Sequence, residues 1–383
     1  MRQLPGYVKL APNGKPYICR LIKYLYGLKQ AGRGWNILFT QWFSDHGFKI
    51  STADPCLFVY TGDPSDFLAF AIHVDDMTIV DNNVKLRERI LGLMREKFDV
   101  DYLGPARWIL GMNIDRDEAG SYILHQTKYI NDILAEYGMQ ECNSAKEPMV
   151  IDNSDDTSEP CDKGEYLKLL GKLSYLAVMT RPDISFAVNR LAQQSQAPTE
   201  KCWIALKRVL RYVAGTTHYH LVYSPSGNDT VVGYSDADWA GCVDTRRSTS
   251  GYVFTLGGAA ISWRSNKQPV VALSSTEAEY IAGTLATQEA MFLRFLFRDL
   301  GLPMQAPTGI SIDNRGAIAL GKNFISNKRT KHIDIRFHFI REKVRDGVIT
   351  LHPIGTNDMP ADCLTKPLGY QKFLQNRPLL FGM

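Results

Sequence analysis

Apolar and polar positions change period several times along this chain, and each change marks a different kind of element. Short apolar runs near the start read as strands: CLFVY (56–60), FLAFAIHV (67–74), WILGMNI (108–114) and SYILHQ (121–126). Between them, LRERILGLMREKF (86–98) places Ile90, Leu93, Met94 and Phe98 at the i, i+3, i+4 spacing of an amphipathic helix. From 165 to 215 the pattern is helical: YLKLLGKLSYLAVM, a break at Arg181-Pro182-Asp183, then ISFAVNRLAQQ and CWIALKRVLRYVAG. Past SPSGND (224–229) strand patterns return as VVGYSD, GYVFTL, AAISWRS and PVVAL, with Gly257-Gly258 marking a hairpin. A long helix follows from about Thr276 to Leu300, with Ala278, Ile281, Leu285, Phe292 and Leu296 on one face. The strand GISID, a helix through RFHFIREKVRDG, the strand VITLHPI and a final helix near Pro360 complete the chain. Strands first and alternating helices and strands afterwards predict a mixed sheet with helices packed on it.

Length and composition narrow the class. With 383 residues and 45% hydrophobic content the chain can bury real cores, enough for two or three domains. The acidic, Ser/Pro/Gly-bearing stretch DNSDDTSEPCDKGE (152–165) has linker chemistry and places a boundary. Its aspartates lack the glycine that a calcium loop needs at its sixth position. A net charge of +4 permits a nucleic-acid partner only through a local basic footprint. Seven scattered cysteines without a CxxC pair exclude a structural zinc of the usual spacing and read as reduced thiols. MRQLPGYVKL has no apolar signal-peptide core, and no apolar run is long enough for a bilayer span. The expectation is a soluble chain with no membrane partner.

Carboxylates carry the candidate chemistry. In AFAIHVDDMTIVDN (69–82), Asp75 and Asp76 interrupt an apolar run, and adjacent anions repel unless a cation lies between them. Four further acids sit at element ends: Asp236 in GYSDADWAG, Glu277 in SSTEAEY, Asp313 in ISIDNRGA and Asp362 in NDMPADCLTK. Gathered on one rim, such acids favour hard divalent cations, and two ions about 3.5–4 Å apart clamp the attacking and leaving oxygens of a phosphodiester. Each acid also has a local reading. Glu277 stands three residues after Ser274, as in a capping box. Asp236 and Asp238 match the DxD of glycosyltransferases or a plain turn. Asp313-Asn314 could end a strand, and Asp362 suits a helix first turn. The segment from Lys322 to Arg345 holds Lys322, Lys328, Arg329, Lys331, Arg336, Arg341, Lys343 and Arg345 against few acids, a candidate phosphate-tracking face. His332, His338 and His352 lie in or just beyond this segment, each with the plain reading of a satisfied structural histidine.

The stretch GYSDADWAGCVDTRRSTSGYVFTLGGAAISWRSNKQPVVALSSTEAEYIA, with IDNRGAIAL, KRTKHIDIRFHFIRE and NDMPADCLTKPL, resembles the ribonuclease H domain of copia-type LTR retrotransposon Pol polyproteins, over nearly all of 230–370. The resemblance implies a ribonuclease H fold, with Asp236, Glu277, Asp313 and Asp362 as metal-binding acids. It also implies two Mg²⁺ ions per site (Mn²⁺ as an alternative) and hydrolysis of RNA in an RNA–DNA hybrid, with 2′-OH recognition confining cleavage to RNA. Arg329, Lys331 and His332 become candidate nucleic-acid contacts, and His332, His338 and His352 candidates for assisting product release.

Upstream, CRLIKYLYGLKQAGRGWN, AFAIHVDDMTIV, ILGMNI, QTKYINDILAEYGM, LGKLSYLAVMTRPDISFAV and LKRVLRYVAGT resemble the same family's reverse transcriptase. This implies Asp75-Asp76 as catalytic metal ligands in a palm hairpin, Lys29 and Gln30 beside the incoming nucleotide, and ILGMNI at the primer end. RNA template and DNA primer become partners, with full-length Pol as a further one. His73 replaces the usual Tyr, Gly32 a Pro, and Cys202 a His. A third palm aspartate, from a DVKTAFL-like strand, is expected upstream of MRQLPGY, and the fingers with it. Asp45, Asp54, Asp63 and Asp66 fall in loop-like stretches or at other family positions, so the polymerase half is expected to be inert and the ribonuclease H half competent. The fold class is then α+β multidomain: a truncated reverse-transcriptase palm (1–150), a helical thumb/connection (151–225) and a ribonuclease H-like mixed-sheet α/β domain (226–383). The family resemblance places it in the cytoplasm, in virus-like particles, with the nucleus as an alternative. The rival from another class is an inactive nucleic-acid-binding remnant. A DxD glycosyltransferase lacks any nucleotide-sugar fold pattern ahead of Asp236.

Overall fold

The computed structural model describes residues 1–25, 27–150, 157–242, 244–322 and 334–382. They form two compact units, Met1–Tyr102 and Leu103–Met383. In the first, α1 (Ala31–Asp45) leads into an antiparallel meander of β1 (Phe48–Ile50), β2 (Leu57–Tyr60), β3 (Leu68–His73) and β4 (Asp76–Asp81), closed by α2 (Val84–Lys97). The Asn83 side chain starts α2 by accepting the N–H groups of Lys85 and Leu86 at 3.0 and 3.2 Å. The core is aromatic. Phe39, Trp42 and Phe43 of α1 join Phe48, Phe58 and Phe70 of the sheet, with Leu86, Ile90, Leu91 and Met94 from α2. Strand β3 is buried from Leu68 to Phe70 and opens to solvent toward His73, so the β3–β4 hairpin projects from the core.

In the second unit, β5 (Trp108–Ile109), β6 (Met112–Arg116), β7 (Tyr122–His125) and β8 (Leu221–Tyr223) make one antiparallel sheet. Helices α3 (Thr127–Glu136), α4 (Lys163–Met179), α5 (Ser185–Ala192) and α6 (Glu200–Ala214) lie between β7 and β8 in the chain. The other sheet contains β9 (Val232–Ala237), β10 (Thr249–Leu256), β11 (Ala259–Lys267), β12 (Thr308–Ile312) and β13 (Ile349–Pro353), in the order β11-β10-β9-β12-β13. β9 to β11 are antiparallel, whereas β12 runs parallel to both β9 and β13. Around it are α7 (Ser275–Asp299), α8 (Arg315–Lys322), α9 (Asp334–Arg345), α10 (Tyr370–Asn376) and α11 (Pro378–Phe381). This is the mixed sheet expected from the strand and helix order. Gly257 and Gly258, at φ +62° and +100°, turn β10 into β11 in a backbone region that favours glycine.

Three details depart from the periodic reading. PVVAL forms no strand: Val270, Val271 and Leu273 are exposed, because the segment serves as the approach to the α7 cap at Ser274. The stripe of α7 that meets the sheet is Ala278, Ala282, Ala286 and Ala290, every fourth residue and all buried, while Phe292 is 41% exposed. Alanine lets the helix axis approach the strands more closely than a phenylalanine would. Near Pro360 the chain makes a short 3-10 turn (Pro360–Leu364), with α10 and α11 beyond it.

Among the described residues the packing divides after Tyr102. Ile130, Leu169, Val188 and Leu210 from the helical stretch share one core with Val253, Ala260, Leu364 and Phe381. Of the acidic linker, 151–156 lie outside the described residues, and Asp162 caps α4 through the N–H groups of Gly164 and Glu165. Among the described residues no helix is long and apolar enough to cross a membrane, and all seven cysteines are free thiols.

Candidate active site

Parallel pairing of β9 and β12 sets Ser311 opposite Tyr234. Two residues further along each strand, Asp313 and Asp236 reach the same rim. From the helix side, Glu279 enters on the second turn of α7. One carboxylate oxygen from each of Asp236, Glu279 and Asp313 lies within 4.8 Å of the others. Asp236 and Glu279 are buried and Asp313 half-buried. Glu279 Oε2 has no hydrogen-bond partner despite its burial. Burial, followed by the charges of Asp236 and Asp313, pushes the Glu279 carboxyl up to about 10. Asp236 is held at about 7, by burial first, with Lys366 pulling it down and Asp362 pushing it up. The rim is short of positive charge, and its donors are hard oxygens that fit Mg²⁺ or Mn²⁺.

Glu277, expected in this group, is not part of it. Its N–H donates to Ser274 Oγ at 3.1 Å, and its Oε2 accepts the Leu273 N–H at 2.8 Å. The carboxylate folds back on the helix start, and the place beside Asp236 and Asp313 goes to Glu279, two residues on and about 200° around the axis. Glu279 was legible only as the neighbour of the alanine stripe that faces the sheet.

Asp362, fully buried on its 3-10 turn, stands beside Asp236 without joining the three-carboxylate group. Lys366 Nζ lies 2.5 Å from Asp362 Oδ1 and 3.4 Å from Asp236 Oδ2. Lys372 Nζ pairs with the other Asp362 oxygen, and Thr365 Oγ1 donates to Asp236 Oδ2. These partners were missed from the sequence, although Lys366 follows Asp362 at the helical i+4 spacing. Asp238 is a turn former: it accepts the Thr249 N–H, and a Cβ on Gly241 would collide with its carboxylate.

In the first unit, His73 pairs with Asp76 across a two-residue turn of Val74 and Asp75, and all four are exposed. Val74 has φ +56°, a strained conformation for a β-branched residue. Among the described residues no third carboxylate joins Asp75 and Asp76 in a metal-sized group. Four other acids of this unit are engaged in bonds of their own. Asp45 ends α1 and accepts from Gln41 at 2.8 Å, Asp54 takes the Cys56 N–H, Asp63 takes the Ser65 N–H, and Asp66 accepts from Asn83. Lys29 and Gln30 lie exposed in the turn that opens α1.

Arg329, Lys331 and His332 lie outside the described residues, as does Lys328. Within the described part of the basic segment, Arg341 is buried and donates from Nε to the Leu320 carbonyl at 2.8 Å, tying α9 to α8. Lys343 and Arg345 pair with their neighbours Glu342 and Asp346. His352 shares a 2.8 Å hydrogen bond with Thr350.

The second unit is thus a ribonuclease H-like sheet with an acidic rim, and the first a strand hairpin displaying paired aspartates. Residues 1–151 match the family model described as reverse transcriptase (RNA-dependent DNA polymerase). The retrovirus-related Pol polyprotein from transposon TNT 1-94 of Nicotiana tabacum is 38% identical over 370 residues, 94% of this chain and 28% of that one. The corresponding polyprotein from transposon RE2 of Arabidopsis thaliana is 39% identical over 378 residues, 97% of this chain and 26% of that one. A solved foamy viral protease-reverse transcriptase in complex with RNA/DNA hybrid aligns over 75% of this chain and 36% of its own, at 13% identity and a TM-score of 0.41. Over nearly all of its length the chain is similar to the copia-type retrotransposon Pol polyproteins, and its first 151 residues match the reverse transcriptase family. It spans about a quarter of the length of the curated Pol relatives it matches.

Proposed function

We propose that residues 226–383 hold a divalent-metal-dependent ribonuclease H that hydrolyses the RNA strand of an RNA–DNA hybrid. The observation that carries this reading is the group of Asp236, Glu279 and Asp313, with a buried Glu279 oxygen left without a partner. These three would hold Mg²⁺, with Mn²⁺ as a substitute and Asp362 beside Asp236 as a further ligand. Bound there, the metal would supply Lewis-acid chemistry to a phosphodiester. The chain itself supplies position: Thr365 restrains Asp236, the β9–β12 register places Asp313, and the alanine face of α7 brings Glu279 close. The exposed pair Asp75-Asp76 we assign to the metal site of the polymerase half, as two of the carboxylates that site needs.

A hybrid labelled in its RNA strand tests the ribonuclease half. Cleavage is expected with Mg²⁺ and not with EDTA. Asp236→Asn should reduce it by more than the ~10–100-fold that losing an outer partner of a metal ligand costs. Unchanged cleavage in that variant overturns the site, and salt-dependent hybrid binding without cleavage would make the chain a binding remnant. Primer extension by the same preparation should be absent, because no described third carboxylate joins Asp75 and Asp76. Robust extension would show that the pair is complete.

A further inference from the structure

Asp236 borders two cation positions. One lies with Glu279 and Asp313, where no lysine or arginine pairs with either partner among the described residues. The other lies between Asp236 and Asp362, and an ammonium already fills it: Lys366 Nζ is 3.4 Å from one carboxylate and 2.5 Å from the other. Lys372 on the far oxygen of Asp362 completes a set of two carboxylates and two ammoniums with no net charge. Both carboxylates are buried, so removing either counter-charge without replacement is costly.

Resting on the metal site proposed above, we propose that Lys366 is the resident cation of the second position. The free chain binds one divalent ion tightly at Asp236, Glu279 and Asp313. A second ion binds only by displacing the Lys366 ammonium. Electrostatics favour this order. A divalent ion added to a neutral four-charge cluster leaves it doubly positive, unless an ammonium departs or an anion such as a substrate phosphate arrives. Lysine suits the role, since its compact charge rides on a flexible stem and hydrates readily. The Lys366 side chain is 33% exposed, which leaves it a route to water, while Lys372 remains to hold Asp362 in place.

Calorimetric titration of the whole chain with Mn²⁺, without nucleic acid, reads the number and affinity of bound ions directly. Wild type should show one tight ion and a second at least about tenfold weaker. Lys366→Met should strengthen the second ion by about tenfold, and Lys366→Arg should keep the wild-type pattern. The metal-free Lys366→Met chain should also melt lower than wild type and recover on adding metal. Equal second-ion affinity in all three chains overturns the proposal. If Lys366→Met does not fold, Lys366→Gln carries the same expectation. If neither folds, two ions of equal affinity in wild type still overturn it. Glu279→Gln separates the two readings. Loss of the tight ion in that variant with no effect at Lys366 sinks only the lysine proposal, and no metal binding in wild type sinks the ribonuclease H site.

Discussion

Two glutamates in SSTEAEY stand two residues apart and do different things. Glu277 caps the helix start, and Glu279 faces Asp236 and Asp313. Glu279→Gln should therefore abolish hybrid cleavage and the tight ion together. Glu277→Ala should leave ion affinity unchanged and cost about 1 kcal/mol of stability, the usual value of a lost cap. Calorimetry and thermal melts on the two variants check this, and loss of the ion in Glu277→Ala would reverse the assignment. A carboxylate in the first turns of a helix is wanted by a cap and by a metal alike, so residue type could not separate them. What separates them is phase around the helix axis, set only when the alanine face of α7 seats on the sheet.

At the scale of elements, the β3–β4 hairpin is the most legible feature: an apolar run broken by Asp75 and Asp76 became two strands around a two-residue turn. Its strain was not legible. Val74 at φ +56° has a β-carbon where glycine would meet no penalty, and such strain is held where the surroundings or function demand it. Val74→Gly should slow amide exchange in β3 and β4 about fivefold, close to the ~1 kcal/mol released. Faster exchange would show that the turn is unstrained. PVVAL shows the opposite failure, an apolar run that reads as strand yet stays exposed beside a helix cap. A short apolar run does not say whether a neighbouring strand exists to pair with it.

For the molecule as a whole, the break at Arg181-Pro182-Asp183 fastens the second unit. Arg181 is fully buried, forks onto Asp183 at 2.9 and 2.8 Å, and donates to the Thr216 carbonyl at 3.1 Å. Tyr212 donates to Asp183 at 2.5 Å, and the Phe381 ring of the C-terminal helix flanks the guanidinium. The pair thus joins α4 to α6 and to α11, which packs on β11. Arg181→Met strands a buried carboxylate and should cost about 3–5 kcal/mol in urea unfolding of the second unit. A loss under ~1 kcal/mol would mean the pair is dispensable. In the sequence the same residues read only as a helix break, since burial of an ion pair is a property of everything around it.

From the sequence alone came the resemblance to retrotransposon Pol polyproteins, the α+β class, most strands and helices, the hairpin of Asp75-Asp76, and Asp236 and Asp313 at strand ends. Period, turn chemistry and motif are local, and local order survives in a linear reading. Tertiary structure alone decided that Glu279 rather than Glu277 faces the rim, that Lys366 lies between Asp236 and Asp362, and that helices α3 to α6 share a core with the ribonuclease H-like sheet. Each of these depends on which faces meet across long stretches of chain, and that is settled by packing and charge neutralisation among residues far apart in sequence.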